Sequence, residues 1–200
     1  MNEDIYACFD VETTRLDPND GRVIEIAIVR IDNSGNPKGE WSTLINPETN
    51  DLGRVDIHGI DNNWLKEAPL FGDIAGDMVE FFSGCIPVAH NAVFDLSFLR
   101  SEWKRAGLGA LNIDAVDTLA IARNLQLPGR LIDLTKNFEI SIDKAHMALS
   151  DSRALSKVLI KLLEIADFKI SMPRFDLPLF TPSSSGSVLH RPEADNEISK

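Results

Sequence analysis

The run Val23 to Ile31 is apolar at every position except Glu25 and Arg30. A strand of that composition is apolar on both faces, and helices layered on each side of a sheet are what cover such a strand. Its neighbours supply the rest of the sheet. Ile5 to Phe9 reads as a preceding strand, joined through the turn Asp17-Pro18-Asn19-Asp20-Gly21, where Pro presets φ and Gly tolerates positive φ. Asn33-Ser34-Gly35-Asn36 marks a reversal into a third strand, Glu40 to Ile45, which completes a meander that Asn46-Pro47 ends. A loop through Ile57-His58-Gly59-Ile60 leads to helical segments, the clearest from Phe71 to Phe82. From there strands and helices alternate: Ile86 to Ala89, a helix to about Ala106 closed by Gly107, and a strand at Ile113 to Val116. Helices at Thr118 to Leu125, Arg130 to Asn137 and Met147 to Ala166 follow. The expectation is an α/β fold: a mixed five-stranded sheet, three strands antiparallel and two parallel, flanked by helices.

With 200 residues and 44% of them apolar, one domain with length to spare is expected. We assign residues 1–168 to it. From Ser171 to Lys200 there are four prolines and six serines, so 169–200 reads as a flexible tail. The net charge of -11 argues against a broad basic footprint on duplex DNA. A nucleic-acid substrate would need metal to supply local positive potential. Cys8 and Cys85 sit in apolar surroundings and read as reduced thiols. Neither a secretory signal nor a membrane span is evident, and a cytoplasmic location is expected.

The chemistry gathers where strands end. If the first strand continues past Phe9, Asp10 and Glu12 project from the same side, one pleat apart. Two such carboxylates must be solvated, share a proton or hold a cation. Two helices carry further acids on faces that should be apolar. Asp151 heads the stripe Leu155, Val158, Leu162, and Asp95 lies on the face of Leu99 and Ala106. Singly, each suits a helix first turn, where a carboxylate satisfies free backbone N–H groups. Together with Asp10 and Glu12 they are four acids at element ends that one α/β topology would bring together. His146, five residues before Asp151 in a loop over Ser141 to Ala145 and beyond, is either a surface residue or a general base poised over that site. Glu25 and Asp117 are rival acids, read as a structural hydrogen-bonding residue and a strand-end residue.

Asp10-Val11-Glu12-Thr13-Thr14, His90-Asn91-Ala92-Val93-Phe94-Asp95 and His146-Met147-Ala148-Leu149-Ser150-Asp151 resemble the three motifs of the DnaQ-like, DEDDh-type 3'-5' exonucleases. Ile57-His58-Gly59-Ile60 and Val116-Asp117-Thr118-Leu119 resemble further segments of that family, so the likeness spans about Ile5 to Leu163. The expected sheet is its ribonuclease H-like arrangement. The family includes proofreading epsilon subunits of bacterial replicative polymerases and RNA-trimming enzymes. The resemblance implies that Asp10, Glu12, Asp95 and Asp151 bind two Mg2+ or Mn2+ ions, with His146 as general base. It implies that Thr13, His58 and Asn91 contact the terminal nucleotide and that Val11 and Leu16 line its pocket. Arg15 departs from the pattern, standing where many relatives have glycine. The activity implied is removal of nucleoside 5'-monophosphates from single-stranded or frayed DNA 3' ends, in proofreading or repair. RNA trimming is the alternative, and a non-catalytic adaptor is the reading from another class.

Arg174-Phe175-Asp176-Leu177-Pro178-Leu179-Phe180 places large apolar residues in a polar tail. Its Leu-Pro-Leu-Phe ending resembles bacterial sliding-clamp-binding peptides, although Arg174 or Phe175 stands where these typically begin with glutamine. Docking on a clamp through Phe175, Leu177, Leu179 and Phe180, or packing back on the domain, are the two readings. A polymerase is the other partner implied.

Overall fold

The computed structural model describes residues 4–142, 146–166 and 170–192. Strands β1 (Ile5–Thr13), β2 (Val23–Asp32) and β3 (Pro37–Leu44) form the antiparallel meander. The β2–β3 reversal is locally encoded: the Asp32 carboxylate accepts from the backbone N–H groups of Ser34 and Asn36, and Gly35 takes φ 84°. Two short helices, α1 (Val55–His58) and α2 (Asn62–Lys66), precede the long α3 (Phe71–Phe82). Strand β4 (Ile86–Ala89), helix α4 (Ala92–Arg105), strand β5 (Val116–Asp117) and helices α5 (Thr118–Asn124), α6 (Leu131–Asn137) and α7 (Ala148–Ala166) complete the chain. The sheet order is β3-β2-β1-β4-β5, with β4 and β5 joining β1 in parallel. The mixed α/β architecture expected from the sequence is the one observed.

Period-two alternation splits β1 between two cores. Ala7, Phe9 and Val11 face α3 and α4, where they pack with Phe82, Phe98, Leu99 and Trp103. Tyr6 and Cys8 face α7, with Val29, Val88, Leu155 and Leu159. Asp10 and Glu12 continue this second row beyond the point where apolar side chains stop. Helix α4 is tied to β2 through Glu102, whose buried carboxylate accepts from Arg22 Nε at 2.8 Å, Arg105 Nη1 at 3.2 Å and the Val23 amide at 3.2 Å.

Two strand starts differ from expectation. β3 starts at Pro37 rather than Glu40 because its first four residues are exposed on the sheet edge and carry no apolar signal. β5 starts at Val116; Ile113 is buried in the core yet unpaired, so its apolar character reports burial and not a ladder.

The larger correction concerns the tail. The 168/169 boundary lies outside the described residues, as do 193–200, but 170–192 runs along the domain. Phe175 is 5% exposed and packs edge-on to Phe82, with ring centroids 6.0 Å apart. Its amide donates to Cys85 O at 2.7 Å and its carbonyl accepts from Gly84 N at 3.0 Å. Farther on, the Asp77 carboxylate receives the Ser185 and Gly186 amides. Low hydrophobic content predicts a chain that cannot build its own core; it does not prevent that chain from lying on one already built.

Candidate active site

Each acid arrives from a different element end. Asp10 and Glu12 come from β1, Asp95 from the first turn of α4, and Asp151 from the first turn of α7. Asn91 adopts φ 69° immediately before α4, the left-handed conformation that Asn tolerates better than most residues. That turn is held by Asp117, whose Oδ1 accepts from the Asn91 and Leu119 amides, both at 2.9 Å. Asp117 is the last residue of β5, the strand-end position expected of it, and it also caps α5. The Asp95 carboxylate, buried, accepts from the Val11 amide at 3.2 Å and so reaches β1 between Asp10 and Glu12.

Glu12, His146 and Asp151 each present a ligand atom within 4.8 Å of the other two. The Asp151 carboxylate also accepts from the His146 amide at 2.9 Å, which binds the histidine's backbone to the acid below it. His146 itself has φ 61°, an unusual conformation for a side-chain-bearing residue. Residues 143–145, the end of the expected loop, lie outside the described residues.

The electrostatics are those of a concentrated negative site. Burial, then the Asp95, Glu12 and Asp151 carboxylates, holds Asp10 well above the usual carboxylate range. Burial and the facing Glu25 push Glu12 up to about 7. Asp95 is raised to about 8, again chiefly by burial, although its backbone hydrogen bonds pull the other way. Asp151 is raised by burial, against the lowering effect of the His146 amide. Four carboxylates that repel one another yet converge have the chemistry of a hard-cation site: carboxylate oxygens are the preferred donors for Mg2+, Mn2+ and Ca2+. The residues present fit divalent metal.

The expected nucleotide contacts fare unevenly. Leu16, three residues past the end of β1, is 85% exposed, whereas Val11 is buried on the α3/α4 face of the sheet. Thr13 Oγ1 donates to Arg15 O at 2.7 Å, and Asn91 is exposed. His58 corrects the expectation made of it. Its ring is buried, with Nδ1 accepting from the Ile60 amide at 3.0 Å and Nε2 donating to Leu52 O at 3.1 Å. Both nitrogens are engaged, so the ring has no free polar atom for a nucleotide. Arg15 is paired with Asp51 and lies 3.8 Å from Asp20.

Two residues complete the surroundings. Glu25, opposite Glu12 across the β1–β2 ladder, accepts from the Ala148 amide at 2.9 Å, a structural role as expected. Arg191 was not anticipated. It pairs with Glu25 through Nε at 2.8 Å and Nη2 at 2.6 Å. An arginine 166 positions from its partner, in a Pro/Ser-rich stretch, offers no pattern from which the pairing could be read.

A sheet that ends in a cluster of carboxylates beside a histidine defines the class: a ribonuclease H-like fold carrying the donor set of a divalent-metal site. Residues 7–159 match the family model described as "Exonuclease", and the chain belongs to that family. It is 38% identical over 164 residues to the DNA polymerase III subunit epsilon of Rickettsia felis, covering 76% of this chain and 71% of the relative. It is 35% identical over 163 residues to the DNA polymerase III PolC-type of Caldanaerobacter subterraneus subsp. tengcongensis, covering 80% of this chain but only 12% of that much longer protein. Among solved structures, the nuclease domain of 3'hExo, a DEDDh family member bound to rAMP, superposes with TM-score 0.71 at 15% identity, covering 82% of this chain and 93% of that one. E. coli Exonuclease I in complex with a dT13 oligonucleotide gives 0.69 at 19% identity, covering 82% and 43%. At these identities the structural likeness speaks for the fold alone. Among the described residues, no helix is long and apolar enough to cross a membrane.

Proposed function

We propose that this chain is a 3'-5' exonuclease that removes nucleoside 5'-monophosphates from single-stranded or frayed DNA 3' ends in proofreading or repair. One observation carries the reading: Glu12, His146 and Asp151 offer ligand atoms within 4.8 Å of each other at the end of the strand that also bears Asp10. Asp10, Glu12, Asp95 and Asp151 would hold two divalent ions. Such ions, when bound, supply Lewis-acid stabilisation of the attacking and leaving oxygens. His146, exposed at the rim, takes the proton of the attacking water as general base. The sheet below is packed on both faces by buried apolar side chains, so the acids are held in place before substrate arrives. Exposed Leu16 beside β1 offers an apolar edge against which a terminal base can rest, with Thr13 and Asn91 nearby as polar contacts.

The test uses 5'-labelled and 3'-labelled oligonucleotides with and without magnesium, on matched DNA and RNA. A ladder of 5'-labelled products shortened from the 3' end, with labelled mononucleotide from the other strand, supports the proposal. Preferential trimming of RNA would move the substrate class to RNA, which differs at the 2'-hydroxyl. Metal-independent cleavage, or none, overturns it.

The names of the relatives extend the reading to partners. We place the chain in the cytoplasm with a replicative polymerase as partner. A sliding clamp could be reached only through Leu177, Leu179 and Phe180, which are 50%, 99% and 82% exposed, because Phe175 is committed to the core. Retention on immobilised clamp, compared with that of Leu179→Ala plus Phe180→Ala, decides it; equal retention of the two ends the clamp proposal.

A further inference from the structure

Taking His146 as the general base proposed above, we infer that Arg191 is a positioning residue that holds the His146 backbone over the acid cluster from the far end of the chain. The segment is brought there by strand-like contacts. Leu189 O accepts from Leu44 N at 2.7 Å and Leu189 N donates to Thr43 Oγ1 at 3.0 Å. The Leu189 side chain packs on the cluster of Ile24, Leu44, Leu52, Ile60 and Leu65. Two residues on, Arg191 enters a gap where it is 9% exposed and its partner Glu25 is 7% exposed.

The guanidinium there spans two elements and the stretch just before α7. Nε and Nη2 form the two-pronged pair with Glu25 on β2; Nη1 donates to His58 O at the end of α1; Nη2 also donates to His146 O at 3.2 Å. Glu25 in turn receives the Ala148 amide, so the backbone from His146 to Ala148 is gripped at its carbonyl by Arg191 and at its amide by Glu25. The third hold is the His146 amide on Asp151. Such holds are needed, because a left-handed conformation at a side-chain-bearing residue persists only where the surroundings impose it. Arginine suits this position because its planar fork can satisfy a carboxylate and two carbonyls together, which a lysine ammonium on a single point cannot.

Removing Arg191 alone would strand a buried carboxylate, so the test pairs Glu25→Gln with Arg191→Met and adds Arg191→Lys. Turnover and KM are measured on an oligonucleotide, with amide hydrogen exchange over 146–151 in the metal-free protein. In the double variant we expect kcat to fall by roughly ten- to a hundredfold, with KM within about twofold. Exchange at 146–148 should quicken by about tenfold or more. Arg191→Lys should keep the pair with Glu25 yet still lose about fivefold or more in kcat, since it cannot span both carbonyls. If the double variant does not fold, Arg191→Lys is read alone. Unchanged or faster turnover, a loss confined to KM, or unaltered exchange overturns the inference. A wild type that fails to cleave, or an Asp10→Ala variant that still does, instead overturns the proposed function.

Discussion

Glu12 and Glu25 stand directly opposite one another on antiparallel strands β1 and β2, two carboxylates on the same face of the sheet. Like charges so placed oppose strand pairing, and two features tolerate them here. Arg191 compensates Glu25, and Glu12 is left as the member that the site can use. Glu12→Gln should therefore raise the melting temperature of the metal-free protein at pH 8 while abolishing metal-dependent cleavage. A thermal scan in chelator beside an activity assay checks both, and a lower melting temperature would contradict the first.

The acids make metal-free stability depend on pH with a definite sign. Glu12 and Asp95 hold protons up to about 7 and about 8 in the folded chain, while unfolded carboxylates release them near pH 4. Their contribution is thus fully present below about pH 4 and is lost as pH rises through the folded values. In chelator, melting temperature should fall from pH 5 to pH 8. Excess magnesium should reverse the fall, by about 2.7 kcal/mol at a hundred times its dissociation constant. A flat profile, or one that magnesium does not move, is the contrary result.

Asp10→Asn removes a carboxylate from the shared site and leaves the shape of β1 unchanged. Cleavage should drop by roughly a hundred- to a thousandfold or more, because the ions proposed above would lose a ligand and the transition-state charge its stabilisation. Circular dichroism should remain that of wild type.

For His146, general-base and ligand roles separate by measurement. His146→Gln should lower kcat by roughly 10²- to 10⁴-fold with manganese binding preserved. Loss of manganese binding in calorimetry would instead assign the ring to the metals, as its place within 4.8 Å of Glu12 and Asp151 allows.

Phe175 tests whether the C-terminal segment belongs to the domain. Phe175→Ala should cost about 3 kcal/mol, as expected for a phenyl ring buried against Phe82. Leu179→Ala with Phe180→Ala should leave denaturant midpoints within error, since both side chains are exposed.

The sequence by itself determined the architecture and most of the acid constellation. Val23 to Ile31 demanded cover on both faces, and a period of two put Asp10 and Glu12 in one row. A period of 3.6 put Asp151 at the head of the Leu155 stripe. These are short-range regularities, written into consecutive residues. Only the tertiary structure decided what depends on distant segments meeting: that His58 spends both ring nitrogens on Leu52 and Ile60, that Phe175 fills a place beside Phe82, and that Arg191 reaches Glu25 and the His146 carbonyl. A buried ion pair between residues so far apart arises from packing, and packing leaves no period in the chain.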